Sequence, residues 1–179
     1  FSTENWKRSE EEVNGIFKLL IQYVDSELEE LNDNNVKVNI LGDYKALPEK
    51  VVGRLEKSIV TTAKNTGMWF NIALNYGSRM EIIQAVRKIG EEIKEGNLLP
   101  KEIDEKSIID NLYTGMAGIP DPDLLIRTSG EQRMSNYLLW QLAYSELVFN
   151  DVLWPDYTPE EFEKDIMIYS RRERRFGGR

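Results

Sequence analysis

The sequence contains no cysteine and no histidine. Without cysteine there is neither a disulfide framework nor a thiolate nucleophile, and an intracellular compartment is the expected one. Without histidine there is no His-based triad, no HExxH zinc site and no imidazole proton shuttle. Chemistry is left to carboxylates, amides, hydroxyls, lysine and arginine. Long apolar runs are lacking too, so no stretch reads as a membrane span. The opening residues have neither the basic n-region nor the apolar h-region of a signal peptide. Neither GxxxxGK[ST] nor GxGxxG occurs, which leaves a nucleotide-binding α/β domain without its motif.

What is present is a globular composition, 179 residues with 41% hydrophobic and 30% charged side chains, enough for a single domain with its own core. The net charge of −8 argues against a nucleic-acid partner, because duplex affinity rests on a basic face. Positive charge is nevertheless gathered in places. Arg127 and Arg133 flank a Ser-Gly loop, and Arg171, Arg172, Arg174, Arg175 and Arg179 crowd the last nine residues. Small polyanions could bind at such spots.

Hydrophobic spacing predicts an α/β fold, a largely parallel β-sheet flanked by helices. Ser9 and Glu12 form a capping box for a helix over 10–31, with Val13, Ile16, Phe17, Leu20, Val24, Leu28 and Leu31 at helical spacing. A strand over 36–41 leads to a helix opened by Pro48 with Val51, Leu55 and Ile59 on its apolar face, ended by Asn65 and Gly67. Residues 68–74 read as a buried strand, and Ser78 with Glu81 as a capping box for a helix ending near Gly96. A short helix over 104–112, a strand at 124–126, a helix over 135–142, a strand over 145–149 and a helix capped by Thr158, Pro159 and Glu161 complete the series. Ligands in such sheets bind beyond the carboxyl ends of strands, where "NYGSR" and "RTSGEQR" fall.

Four stretches carry the chemistry. In "LLIRTSGEQRMS", Arg127 and Arg133 with Ser129, Ser135 and loop N–H groups could surround one diphosphate; the bland reading is a surface turn. Glu146 lies in an apolar stretch, where a carboxylate needs a partner, either Arg133 or Arg127 or a Mg²⁺ ion. Ser78 of "NYGSR" is expected to cap its helix. "RRERRFGGR" is either a solvated basic tail or an arginine delivered to an anionic pocket, a neighbouring subunit's included. Trp140 and Trp154 read as core, and Glu27, Glu29, Glu30 and Asp33 as a solvated helix face.

Taken together, "FSTENWKRS", "NYGSR", "DPDLLIRTSGEQRMSNYLLWQLAYSELVFNDVLWPDY" and "RRERRFGG" closely resemble the cis-prenyltransferases, in order and across essentially the whole chain. The resemblance implies successive condensation of isopentenyl diphosphate onto farnesyl diphosphate, with Mg²⁺, to give a long cis-polyprenyl diphosphate of the undecaprenyl type that precedes cell-wall lipid carriers. It implies that Arg127, Arg133, Met134 and Ser135 bind isopentenyl diphosphate and that Glu146 holds Mg²⁺. Ser2, Thr3, Glu4, Trp6 and Arg8 would line the substrate site. Asn5 would be catalytic, helping to remove or relay the proton. Ile16, Phe17, Leu20 and Val24 would wall a tunnel for the growing chain, although core packing explains them equally. The absence of a DDxxD motif tells against the all-helical trans-prenyltransferases.

The resemblance also implies a homodimer, with the Arg175 and Gly177 region near the partner's diphosphate site, cytoplasmic location and transient contact with the membrane surface. Members of the family carry a DGNGRW-type phosphate loop upstream of the residues matching Phe1. Residues 1–179 are therefore expected to form one domain that is N-terminally incomplete, lacking the first strands and inactive alone. A noncatalytic partner subunit of the same fold is the alternative, though such partners tend to lose the arginines that this chain keeps. Ser78, where the family usually has glycine, is a minor departure.

Overall fold

The computed structural model describes residues 1–173. The readings placed on Arg174, Arg175, Gly177 and Arg179 lie outside the described residues. The chain divides into two compact units, one from Phe1 to Met116 and one from Ala117 onward.

The first unit is built from α1 (Glu10–Asp33), β1 (Lys37–Leu41), α2 (Glu49–Thr61), β2 (Trp69–Ala73), α3 (Ser78–Lys94), α4 (Glu105–Ile109) and α5 (Tyr113–Met116). Ser9 caps α1 as its spacing predicts: its Oγ accepts from Glu12 N–H, and Ser9 N–H donates to the Glu12 carboxylate at 3.2 Å. β1 and β2 pair in parallel, Lys37 opposite Trp69 through Leu41 opposite Ala73. The parallel pairing is explained by the intervening α2, which supplies the crossover. Helices α1 and α2 place Val13, Phe17, Val51 and Leu55 against Val38, Ile40 and Leu74 in one core. Within that core Thr62 Oγ1 accepts from Val38 N–H at 3.0 Å and donates to Ser58 O at 2.9 Å, so the end of α2 is tied to the start of β1 with no polar atom stranded.

Two expectations for this unit are corrected. Met68, Trp69 and Phe70 are exposed, so the stretch is not a buried strand along its length. β2 belongs to a two-stranded ladder in which each strand is an edge, and Lys37 lays its ammonium over the Trp69 ring at 4.4 Å. Gly77 rather than Ser78 takes the N-cap position of α3; Ser78 is its first helical residue and is fully buried. Counted from that cap, Glu81 is the fourth helical residue, one beyond the capping-box position. It is buried, accepting from Tyr76 Oη at 2.5 Å and from Tyr113 N–H at 2.7 Å.

The second unit contains β3 (Leu124–Arg127), β4 (Glu146–Phe149) and α6 (Pro159–Ser170). β3 and β4 pair in parallel, Leu124 opposite Glu146. The helix expected over 135–142 is absent. Ser135, Asn136 and Leu138 have φ of 48°, 60° and 44°, which breaks right-handed helix into successive turns. Thr158 caps α6, accepting from Glu161 N–H at 3.4 Å. Asp165 on α6 is buried, accepting from Asn150 Nδ2 and from Tyr157 Oη at 2.7 Å, which fastens α6 beside the end of β4. Trp140 is half-buried, but Trp154 is 71% exposed and stacks on Tyr157 instead of entering the core. A proline-led turn over Trp154–Asp156 holds it outward.

Candidate functional site

In the first unit the chemistry gathers at the carboxyl end of β2. Phe1 to Thr3 runs parallel to that end: Tyr76 N–H donates to Phe1 O and Thr3 N–H to Tyr76 O, with Ser2 bridged to Tyr76. The chain then tightens into a short turn of 3₁₀ helix, Thr3–Lys7. Asn5 closes it. Its Oδ1 accepts from Ser2 N–H at 2.7 Å and from Ser2 Oγ at 3.2 Å. Both lone-pair directions of that oxygen are engaged, which fixes the amide orientation and leaves the NH₂ group as the free end. Thr3 donates to Glu4 at 3.3 Å, and Arg8 turns toward Glu12 at 3.8 Å, both at the surface.

Trp6 sits edge-on to Phe1 with centroids 5.2 Å apart and lies 5.8 Å from Phe17 of α1. Its indole N–H donates to Asn75 Oδ1. Asn75 was not singled out from the sequence, although it opens "NYGSR" and adopts φ of 47°, a conformation asparagine tolerates well. Beyond Phe17, α1 and the β1–β2 ladder enclose an apolar cavity of about 230 Å³ whose lining includes Leu20, Val24, Leu28, Leu31, Ile40 and Ile72. Leu20 and Val24 therefore face open space. Phe17 is core, and Ile16 is not among the lining residues. Glu27, Glu29, Glu30 and Asp33 are exposed, as expected of a solvated face.

In the second unit, β3 delivers Arg127 to the start of the Ser-Gly loop. Its Nε is buried without a hydrogen-bond partner, a donor that a bound anion would satisfy. Arg127 helps line a cavity of about 480 Å³ together with Thr128, Ser129, Trp154, Tyr157 and Phe162. Two loop N–H groups expected to face an anion are already used. Ser129 N–H donates to Val152 O at 2.8 Å and Gly130 N–H to Asn150 O at 3.0 Å. Arg133 pairs with Glu131 and is largely exposed, Ser135 is exposed and Met134 is half-buried.

Glu146 opens β4 and has an arginine partner, but neither Arg127 nor Arg133. Arg172 donates to its Oε2 at 2.8 Å and to Leu147 O at 2.9 Å. Arg172 was read only within "RRERRFGGR", as a solvated basic tail or an arginine for an anionic pocket, and not as the partner of Glu146. The pairing depends on where the chain turns after α6, which spacing does not reveal. Among the described residues there is no group of three or more acidic side chains arranged to hold a metal ion.

Residues 1–177 match the family described as "Putative undecaprenyl diphosphate synthase". The chain belongs to this prenyltransferase family. An isoprenyl transferase of Geobacillus kaustophilus is 52% identical over 178 residues, covering 99% of this chain and 68% of the relative. The ditrans,polycis-undecaprenyl-diphosphate synthase of Escherichia coli, described as specific for (2E,6E)-farnesyl diphosphate, is 46% identical and covers 99% and 70%. Among solved structures, lavandulyl diphosphate synthase from Lavandula x intermedia, in complex with dimethylallyl diphosphate, superposes with a TM-score of 0.96 at 34% identity, covering 99% of this chain and 76% of that one. The α/β class and the transferase activity of the family thus agree with the reading of the motifs.

Proposed function

We propose that this chain is a cis-prenyltransferase domain that condenses isopentenyl diphosphate successively onto farnesyl diphosphate, giving a long cis-polyprenyl diphosphate of the undecaprenyl type. The observation that carries the reading is the apolar cavity between α1 and the β1–β2 ladder, beside the opening loop, in a chain of this family. An isoprenoid tail needs such a dry enclosure, and burying its methylenes is favourable by about 0.8 kcal/mol each.

Each condensation forms a carbon–carbon bond to the allylic carbon, breaks that carbon's bond to diphosphate and releases one proton from the isopentenyl unit. Arg127, Arg133 and Ser135, with Met134 beside them, hold and orient isopentenyl diphosphate; the buried Nε of Arg127 is the donor best prepared for it. Ser2, Thr3, Glu4, Trp6 and Arg8 position substrate. Asn5 acts by donation, because Ser2 already occupies its oxygen. It orients and relays the proton toward a diphosphate or carboxylate oxygen rather than taking it as the base.

Mg²⁺ commonly takes one or two carboxylates and completes its shell with substrate phosphates, so a single half-buried glutamate fits as its protein ligand. Glu146 would hold it, through the carboxylate that Arg172 now pairs. Bound there, Mg²⁺ would neutralise charge developing on the departing diphosphate. In this reading the protein works in the cytoplasm as a homodimer and meets the membrane surface only to hand over its lipid product. No helix among the described residues is long and apolar enough to cross a membrane.

The test is incorporation of labelled isopentenyl diphosphate by the full-length protein supplied with farnesyl diphosphate and Mg²⁺. Arg133→Ala and Glu146→Ala abolish incorporation on this reading. Undiminished turnover by either variant removes that residue from the site.

A further inference from the structure

Arg172 lies two residues past the end of α6, where its N–H donates to Tyr169 O at 3.0 Å and closes the helix with a tight turn. That turn throws its side chain back onto the first two residues of β4. One guanidinium nitrogen reaches both Glu146 Oε2, at 2.8 Å, and Leu147 O, at 2.9 Å. The Arg172 side chain is 36% and the Glu146 side chain 27% exposed, so the pair is partly open to solvent. An isolated carboxylate on an apolar strand is costly, and Arg172 supplies the charge that makes Glu146 tolerable. Yet a carboxylate already paired with a guanidinium holds a divalent ion less well, since two cations a few ångströms apart repel.

We infer that Arg172 is the resident counter-cation of Glu146, and that a divalent ion binds there in competition with it. This rests on the reading of Glu146 as the metal-holding carboxylate. The competition has a structural consequence beyond charge. Arg172 is a side chain that fastens the end of α6 to the start of β4, so metal binding at Glu146 weakens that fastening. An ion pair of this exposure is weak enough to be exchanged and strong enough to register as competition.

The experiment is titration of Mn²⁺ alone into the full-length enzyme, reading free metal from its electron paramagnetic resonance signal. Arg172→Met tightens Mn²⁺ binding about fivefold, the weight of a partly exposed pair. Arg172→Gln serves in its place if the methionine variant does not fold, with the same direction expected. In a Glu146→Gln background the Arg172 substitution has no effect, because the side chain carries no charge to contest. If Glu146→Gln weakens Mn²⁺ binding while Arg172→Met leaves it unchanged or weakens it as well, Arg172 is no competitor and the inference is overturned. If Glu146→Gln leaves Mn²⁺ binding intact, it is the metal-ligand reading of Glu146 that fails.

Discussion

The Trp6 indole N–H donates to Asn75 Oδ1 at 2.8 Å, joining the opening loop to the residue that follows β2 by two positions. Asn75 is held in turn, its Nδ2 donating to Asp43 O at 2.9 Å at the exit of β1. One side chain thus ties the ends of both strands to the aromatic ring over Phe17. The backbone bridge between Ser2 and Tyr76 fixes the loop's origin, but the ring's orientation depends on Asn75.

Asn75→Ala is therefore expected to loosen Trp6 while leaving the ladder intact. The lost bonds are at the surface, but alanine is also less at ease than asparagine at φ of 47°, so stability falls by about 2 kcal/mol. On the proposal that Trp6 positions substrate, a ring displaced by an ångström lowers kcat/KM for isopentenyl diphosphate incorporation about tenfold. Steady-state kinetics beside a thermal melt separates the two. Unchanged kcat/KM would mean that Phe1 and Phe17 alone orient the ring.

The cavity beside α1 gives a second expectation. Val24 faces it from the helix and Ile72 from β2. Val24→Trp fills much of its roughly 230 Å³, and the product distribution shifts toward shorter polyprenyl diphosphates while the first condensation persists. Chromatography of dephosphorylated products reads this directly. Full-length product from the variant would place the growing chain elsewhere.

Most of the scaffold was legible because its signals are local. The Ser9 and Glu12 box, the Thr158 cap and the helical spacing of Val13 to Leu28 each depend on residues within a turn or two of one another. The failures share a different cause. The 135–142 stretch has helical spacing, but three left-handed residues break it, and only Asn136 announces such a backbone. Ser78 and Glu81 mimic a capping box, yet Glu81 is claimed by Tyr76 and Tyr113, a contact made through the tertiary fold. Of the α1 residues read as a tunnel wall, Leu20 and Val24 line the cavity while also packing against the core, and Phe17 is core; periodicity identifies the apolar face but not which of its residues border open space. Glu146 illustrates the same limit: its need for a cation was evident from burial logic, whereas the choice of Arg172 was not.

Gly42 is a place where one atom decides. It has φ of 115°, and a Cβ there would lie 2.2 Å from Leu74 O, backbone that cannot step aside. Gly42→Ala combines that clash with a conformation alien to alanine, and is expected to cost about 3 kcal/mol. Urea denaturation measures it. A midpoint equal to the parent's would show that β1 and β2 separate at their ends without cost.

The alkaline limit of stability is expected to be set partly by Tyr157. Burial raises its hydroxyl above the ordinary tyrosine value, and the hydrogen bond to Asp165 with the nearby charges of Asp165 and Glu161 raises it further. The folded protein therefore holds this proton more tightly than the unfolded chain does. The contribution is complete below the unfolded value of about 10 and is lost as pH rises toward the folded one. Tyr113 and Tyr137 are raised as well, each chiefly by burial, and add to the same limb. Tyr157→Phe removes the largest of these responses. At neutral pH it lowers stability by about 1 kcal/mol, since Asp165 keeps Asn150 as a donor. Above pH 10 the variant's stability declines less steeply than the parent's. Urea unfolding followed between pH 7 and 11 tests this, and parallel curves for the two proteins would show that the Tyr157 proton is not linked to folding.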